Sequence, residues 1–164
     1  VILSIDPGLH AVGAAVFDDA NDLLWAGLIR NGIDAYLHNP TYHSSIWNGM
    51  VDAVAAKMRA LHYIPEQLAV ELPQIYIASR SKGDPNDLIV LAGLVGALTS
   101  WFPGTVFLYQ PHTWKGTVPK KIMCARILKH LKPEELIKIE KAPESLWHNT
   151  VDGVGVGMHH LKRL

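Results

Sequence analysis

Three acidic residues stand where acidic residues are costly. Asp6 ends the apolar run Val1-Ile-Leu-Ser-Ile and is followed at once by Pro7-Gly8. Glu71 ends the short run Leu68-Ala-Val70 and is followed by Leu72-Pro73. Asp152 lies inside the Gly- and Val-rich stretch from Asn149 to Gly157. A carboxylate taken out of water needs a partner, and oxygen donors of this kind suit a hard divalent cation such as Mg²⁺. Asp152 is one helical turn from Asn149, so the two side chains share a face. Carboxylates gathered at one point repel unless cations neutralise them, which favours a two-metal site. Each residue also has an ordinary reading. Asp6 can cap its own turn, Glu71 can end a strand beside a lysine, Asp152 can be satisfied by a helix cap, and Asn149 is itself a common cap.

The elements around these residues decide whether they meet. Val1–Asp6 and Val12–Phe17 read as strands of a hairpin, because β-branched apolar runs flank a Pro-Gly turn. A third strand is expected from Asp22 to Ile29, and residues 31–42 read as a loop containing Gly32 and Pro40. Ile46, Met50, Val54, Met58 and Leu61 recur at helical spacing, giving a helix from Ser44 to Leu61 with Ser44 or Ser45 as its cap. A strand ending at Glu71 follows, then a polar loop from Gln74 to Pro85 carrying Arg80 and Lys82. Asn86 or Asp87 is expected to cap a helix reaching Trp101, whose Gly93 and Gly96 allow close packing. Thr105–Tyr109 reads as a strand and Gln110–Val118 as a loop with His112, Trp114 and Lys115. Pro119 then starts a basic helix to about Leu131. A short helix follows Pro133, and a last helix spans roughly Glu144–Leu161. Met50, Met58 and Trp101 are expected in the core. Three strands followed by alternation imply an α/β fold with a mixed five-stranded sheet, an antiparallel meander extended by parallel βαβ units. If the strands ending in Asp6 and Glu71 are parallel neighbours, both carboxylates reach the same sheet edge, where open sheets with parallel strands place active sites.

Composition narrows the classes. The 164 residues fit one domain, 1–164, and 49% hydrophobic with 18% charged residues describes a globular chain. The single cysteine, Cys124, excludes an internal disulfide and fits a reducing compartment. No Cys or His spacing suggests zinc, no apolar run approaches a membrane span, and the first residues read as a strand rather than a signal peptide. The net charge is zero, yet residues 1–74 hold three basic against eight acidic side chains, and residues 75–164 hold twelve against seven. An acidic half beside a basic half suits carboxylates for metal and lysines for phosphate.

The ordered set Ile-Leu-Ser-Ile-Asp-Pro-Gly with Gly13, Val-Glu-Leu-Pro, and Asn-Thr-Val-Asp-Gly-Val-Gly-Val-Gly resembles the RuvC-type Holliday junction resolvases, nucleases of the RNase H-like superfamily. The resemblance covers nearly the whole chain, including Gly93 and Gly96 in the helix after the Glu strand. It implies an RNase H-like fold and a dimeric, structure-selective endonuclease acting on Holliday junctions and other branched DNA. It also implies a cytoplasmic protein of a bacterial or phage-infected cell. Asp6, Glu71 and Asp152 would bind two Mg²⁺ ions, with Mn²⁺ as a substitute. The ions would activate water and stabilise the leaving 3′ oxygen. DNA would be met by Tyr76, Arg80 and Lys82 after the Glu strand, and by Trp114, Lys115, Lys120 and Lys121.

Three features depart from the family. Asp or His is usual one turn before the last Asp, and this chain has Asn149; either His148 substitutes as a ligand, or Asn149 is an inactivating Asp→Asn replacement. The loop after Glu71 is long and lacks the family's Phe, with Tyr76 as the nearest aromatic. The basic segment Trp114-Lys115-Gly116-Thr117 with Lys120-Lys121 matches only loosely. Three rivals stand beside the leading reading: an RNA-processing nuclease of the YqgF type, a catalytically impaired junction-binding module, and an actin-like ATP-binding domain. The last needs two such lobes, and no second hairpin motif is present.

Overall fold

A computed structural model describes residues 1–32, 40–74 and 85–164. The opening hairpin forms β1 (Ile2–Asp6) and β2 (Ala11–Phe17), and the turn after Phe17 leads into β3 (Leu23–Arg30). After helix α1 (His43–Ala60) comes β4 (Gln67–Glu71), then α2 (Pro85–Trp101) and β5 (Thr105–Tyr109). The chain closes with α3 (Pro111–Trp114), α4 (Lys120–His130), α5 (Pro133–Leu136) and α6 (Trp147–His160). The strands form one five-stranded sheet in the order β3-β2-β1-β4-β5. β1 is antiparallel to β2 and parallel to β4, and β4 is parallel to β5. The expected mixed sheet is therefore present, with β1 at its centre.

Side chains alternate across the strands, so the sheet has two cores. Leu3, Ile5, Val12, Leu68 and Val70 face α1 and α2, where Met50, Val54, Leu94 and Leu98 complete one cluster. Ala15, Phe17 and Ala69 face α6 and α4, packing with Val151, Val154, Met123 and Ile127. Helix α6 is buried from Thr150 to Met158. It comes close to the sheet because a Cβ on Gly157 would stand 2.2 Å from the Phe17 ring. Ser4 Oγ donates to the Gly153 carbonyl at 2.8 Å and fastens the helix to β1. Far from that contact, Glu135 accepts hydrogen bonds from the amides of Leu23 and Lys132 and from both terminal nitrogens of Arg163, tying α5 and the chain end to β3.

Several local expectations need correction. Helix α1 starts at His43, led in by a 3₁₀ turn at Pro40–Tyr42, and no side chain caps it, so Ser44 and Ser45 lie inside the first turn. Helix α2 begins at Pro85, which places Asn86 and Asp87 in its first turn rather than before it. The loop expected after Tyr109 contains α3, opened by Pro111 at its first position; four residues are too few to show a helical period. Gly93 packs on Trp47 as expected, but a Cβ on Gly96 would meet nothing within 4 Å. Trp101 is exposed at the end of α2, whereas Met50 and Met58 are buried.

Candidate active site

The sheet register brings the first two carboxylates together. Ile5 pairs with Val70 across the parallel β1–β4 ladder, and one step further along stand Asp6 and Glu71. Both lie two residues beyond side chains of the α6 face, Ser4 and Ala69, so both point toward α6. That helix supplies Asp152, which is 4% exposed.

The basic partner comes from the segment after β5. Glu71 pairs with Tyr109 in the β4–β5 register, and the Leu72 amide donates to the Tyr109 carbonyl at 2.8 Å. Helix α3 starts two residues later and turns Trp114 and Lys115 back over Glu71. Lys115 Nζ lies 2.9 Å from Glu71 Oε2 and 3.7 Å from Asp152 Oδ2. The Trp114 indole N–H donates to Glu71 Oε2 at 2.7 Å, and the Lys115 ammonium sits 4.7 Å from the centre of the Trp114 ring. Beside the cluster opens a cavity of about 520 Å³ lined by Asp152, Lys115, Lys120, Met123 and residues 116–118.

The electrostatics follow from burial. Asp6 is pushed well above the usual carboxylate range, first by desolvation and then by the negative charges of Glu71 and Asp152. Glu71 is raised by burial, against the opposing pull of Lys115 and the Trp114 hydrogen bond. Burial alone would lower the Lys115 ammonium, but Glu71, Asp152 and Asp6 outweigh it and hold it above its ordinary value. His148 is lowered by burial and by the nearby Lys120 charge.

Three carboxylates therefore face one inserted ammonium. This excess of negative charge in a desolvated site, with oxygen donors only, fits a hard dication. Among the described residues, no three His, Cys, Asp or Glu side chains already converge as a ready ligand set; Lys115 Nζ reaches both Glu71 and Asp152 there.

The other expected residues are distributed around this centre. Asn149 and His148 are half-buried in the first turn of α6, one turn before Asp152, and Asn149 is not the helix cap. Lys120 lines the cavity, and its charge is felt at Asp6. Lys121 is exposed at the start of α4. Trp114, expected against DNA, is 7% exposed and donates its indole N–H to Glu71. Tyr76, Arg80 and Lys82 lie outside the described residues. Sequence reading missed the Trp114–Glu71 bond, since nothing in the spacing of residues 43 apart signals it.

No protein-family model matches this sequence, and no curated protein does so. Solved structures do share its fold. RuvC of Thermus thermophilus, determined in complex with a Holliday junction substrate, superposes with a TM-score of 0.63 at 18% identity, covering 98% of this chain and 91% of that one. The resolvase of Fowlpox virus, in complex with Holliday junction DNA, gives a TM-score of 0.52 at 17% identity over 100% of both chains. The yeast mitochondrial Holliday junction resolvase Ydc2 gives 0.55 at 13% identity, covering 99% of this chain and 78% of its own. At such identities the likeness establishes the fold, which is that of the RuvC-type, RNase H-like resolvases.

Proposed function

We propose that residues 1–164 form a nuclease domain that hydrolyses phosphodiester bonds in Holliday junctions and other branched DNA. One observation carries this reading: Asp6 and Glu71 end adjacent parallel strands at one sheet edge, with Asp152 of α6 facing them, in a fold shared with proteins solved on junction DNA.

Asp6, Glu71 and Asp152, with Asn149 or His148, would hold Mg²⁺ or, as a substitute, Mn²⁺. When bound, two such ions supply an activated water and a counter-charge for the leaving 3′ oxygen. The remaining roles belong to the chain itself. Asp6 and Glu71 are desolvated and under-neutralised in the free protein, so they gain from any added positive charge. Lys115 and Lys120 line the cavity beside the carboxylates and would hold a phosphate there. The exposed positions of α4 add Lys121, Arg126, Lys129 and His130, and that helix has no acidic residue. This basic face would follow the DNA backbone.

A homodimer belongs to the same proposal, because resolving a four-way junction takes two cuts. Its support is α2, whose only charged residue is Asp87 yet whose Ile89 and Trp101 are exposed; Leu108 of the edge strand β5 is exposed as well. A helix apolar on every side normally has neighbours on every side. No helix among the described residues is long and apolar enough to cross a membrane.

Cleavage of a labelled synthetic four-way junction tests the reading. Cleavage in Mg²⁺ and none in EDTA is expected. Preference for a folded RNA would transfer the assignment to an RNA-processing nuclease, and tight junction binding without cleavage would leave a binding module.

A further inference from the structure

Trp114 is the fully committed member of the Trp114–Lys115 pair. Its ring is 7% exposed, and α6 makes room for it with Gly155, where a Cβ would stand 2.5 Å from the indole and 2.7 Å from Ile127. A buried indole N–H is a donor without acceptor capacity and usually finds a partner. The available partner is Glu71 Oε2, at 2.7 Å.

Lys115 and Trp114 thus hold the same carboxylate in different ways. Lys115 brings a full charge on a flexible stem, so it neutralises Glu71 and competes with any other cation for it. Trp114 is neutral and packed from α3 against α4 and α6. It can fix the orientation of Glu71 without cancelling its charge, and it stays in place if Lys115 turns toward a phosphate.

We propose that Trp114 is a positioning residue for Glu71, its indole N–H orienting the carboxylate for cation binding. The inference rests on the reading of Glu71 as a metal-holding group. A partner that orients a ligating carboxylate typically contributes about 10–100-fold in metal affinity or activity.

The test separates the N–H from the ring. Trp114→Phe removes the donor but keeps an apolar ring. Site-specific replacement of Trp114 by benzothienylalanine keeps the full bicyclic shape and substitutes sulfur for the N–H. Mn²⁺ binding to the free protein is measured by calorimetry, and junction cleavage is resolved into kcat and KM. Both variants are expected to bind Mn²⁺ about tenfold more weakly and to lose kcat, while the KM for junction and the thermal midpoint of the benzothienyl variant stay at wild-type values. Wild-type Mn²⁺ affinity and kcat in the benzothienyl variant would overturn the proposal and leave Trp114 as packing, even if Trp114→Phe misfolds. Wild-type protein that neither binds Mn²⁺ nor cleaves junctions would instead sink the metal reading of Glu71, and the positioning role with it.

Discussion

Gly13 and Gly153 meet backbone to backbone: a Cβ on Gly153 would stand 2.6 Å from the Gly13 carbonyl oxygen, and one on Gly13 would stand 1.7 Å from that of Asn149. Gly13 is also the register partner of Asp6 across the hairpin. The residue next to Asp6 in the sheet therefore touches the residue next to Asp152 in α6. Two side chains far apart in sequence are brought together by two residues that have none.

That closeness leaves Asp6 desolvated beside two other carboxylates, which has a measurable cost. Asp6→Asn removes one of the repelling charges at nearly constant shape. We expect it to abolish junction cleavage, to preserve junction binding, and to raise the thermal midpoint in EDTA by roughly 2–4 °C, the shift that about 1 kcal/mol produces in a chain of this size. Mg²⁺ should stabilise the wild type and not the variant. Full turnover by Asp6→Asn would end the metal-site reading.

The basic start of α4 predicts a salt signature. Each phosphate neutralised releases close to one counterion, so Lys120→Ala with Lys121→Ala should reduce the slope of log affinity against log salt by about two. Equilibrium binding across a salt series measures this directly. An unchanged slope would mean that both lysines only face solvent.

The apolar face of α2 predicts an association state. Ile89 is 70% exposed, so Ile89→Glu should leave the folded protomer intact while placing two charges in an apolar isologous interface, one from each protomer. Sedimentation velocity should show the wild type as a dimer and the variant as a folded monomer, and only the wild type's melting temperature should rise with protein concentration. A monomeric wild type at assay concentration would remove the dimer from the proposal.

Glu135 predicts the acid limb of the stability profile. Burial alone would raise this carboxyl, but the Arg163 fork and the Leu23 and Lys132 amides outweigh it and pull it from 4.5 to about 2. Its value is lower in the folded state, so its contribution is complete above the unfolded value of 4.5 and disappears as the pH falls toward 2. Glu135→Gln leaves the half-buried Arg163 beside a neutral group and should cost about 2 kcal/mol at pH 7. It should also flatten the dependence of the melting temperature on pH below 4.5. An equally steep acid limb in the variant would assign that limb to other carboxylates.

These residues differ in how far the sequence announced them. Asp6, Glu71 and Asp152 were legible because each interrupts an apolar run, and burial makes such an interruption conspicuous. The strands and the mixed character of the sheet were legible because β-branched runs, Pro-Gly turns and the alternation of strand with helix are local signals, whereas the pairing of β1 with β4 was only a condition until the sheet order was seen. The bond from Trp114 to Glu71 was not legible, for the opposite reason. A Trp-Lys pair in a short polar segment looks like a surface feature, and only the β4–β5 register with the Gly155 gap turns the indole inward. Glu135 gave no warning either, since its partners come from β3 and the chain end. Trp101 was taken for core because α2 is apolar throughout; nothing in a helix's own sequence says which apolar side lacks a neighbour.

Asn149 carries the sharpest remaining prediction. It stands one turn before Asp152 in α6, and residues three apart on a helix lie on the same face. Its backbone is fixed, because its carbonyl lies against Gly13. Asn and Asp have nearly the same shape, so Asn149→Asp should leave the fold and the junction affinity unchanged. It adds the charge that a hard dication prefers to a neutral amide oxygen. We therefore expect a higher Mg²⁺-dependent cleavage rate and a lower Mg²⁺ concentration at half-maximal rate, measured on the same junction substrate. The neighbouring His148 supplies the control. Burial and the Lys120 charge hold its imidazole below the ordinary value, and a neutral ring is the form that binds metal. If His148→Ala abolishes a robust wild-type activity and Asn149→Asp adds nothing, histidine is the ligand at this turn. If neither change alters the rate, the fourth ligand does not come from α6.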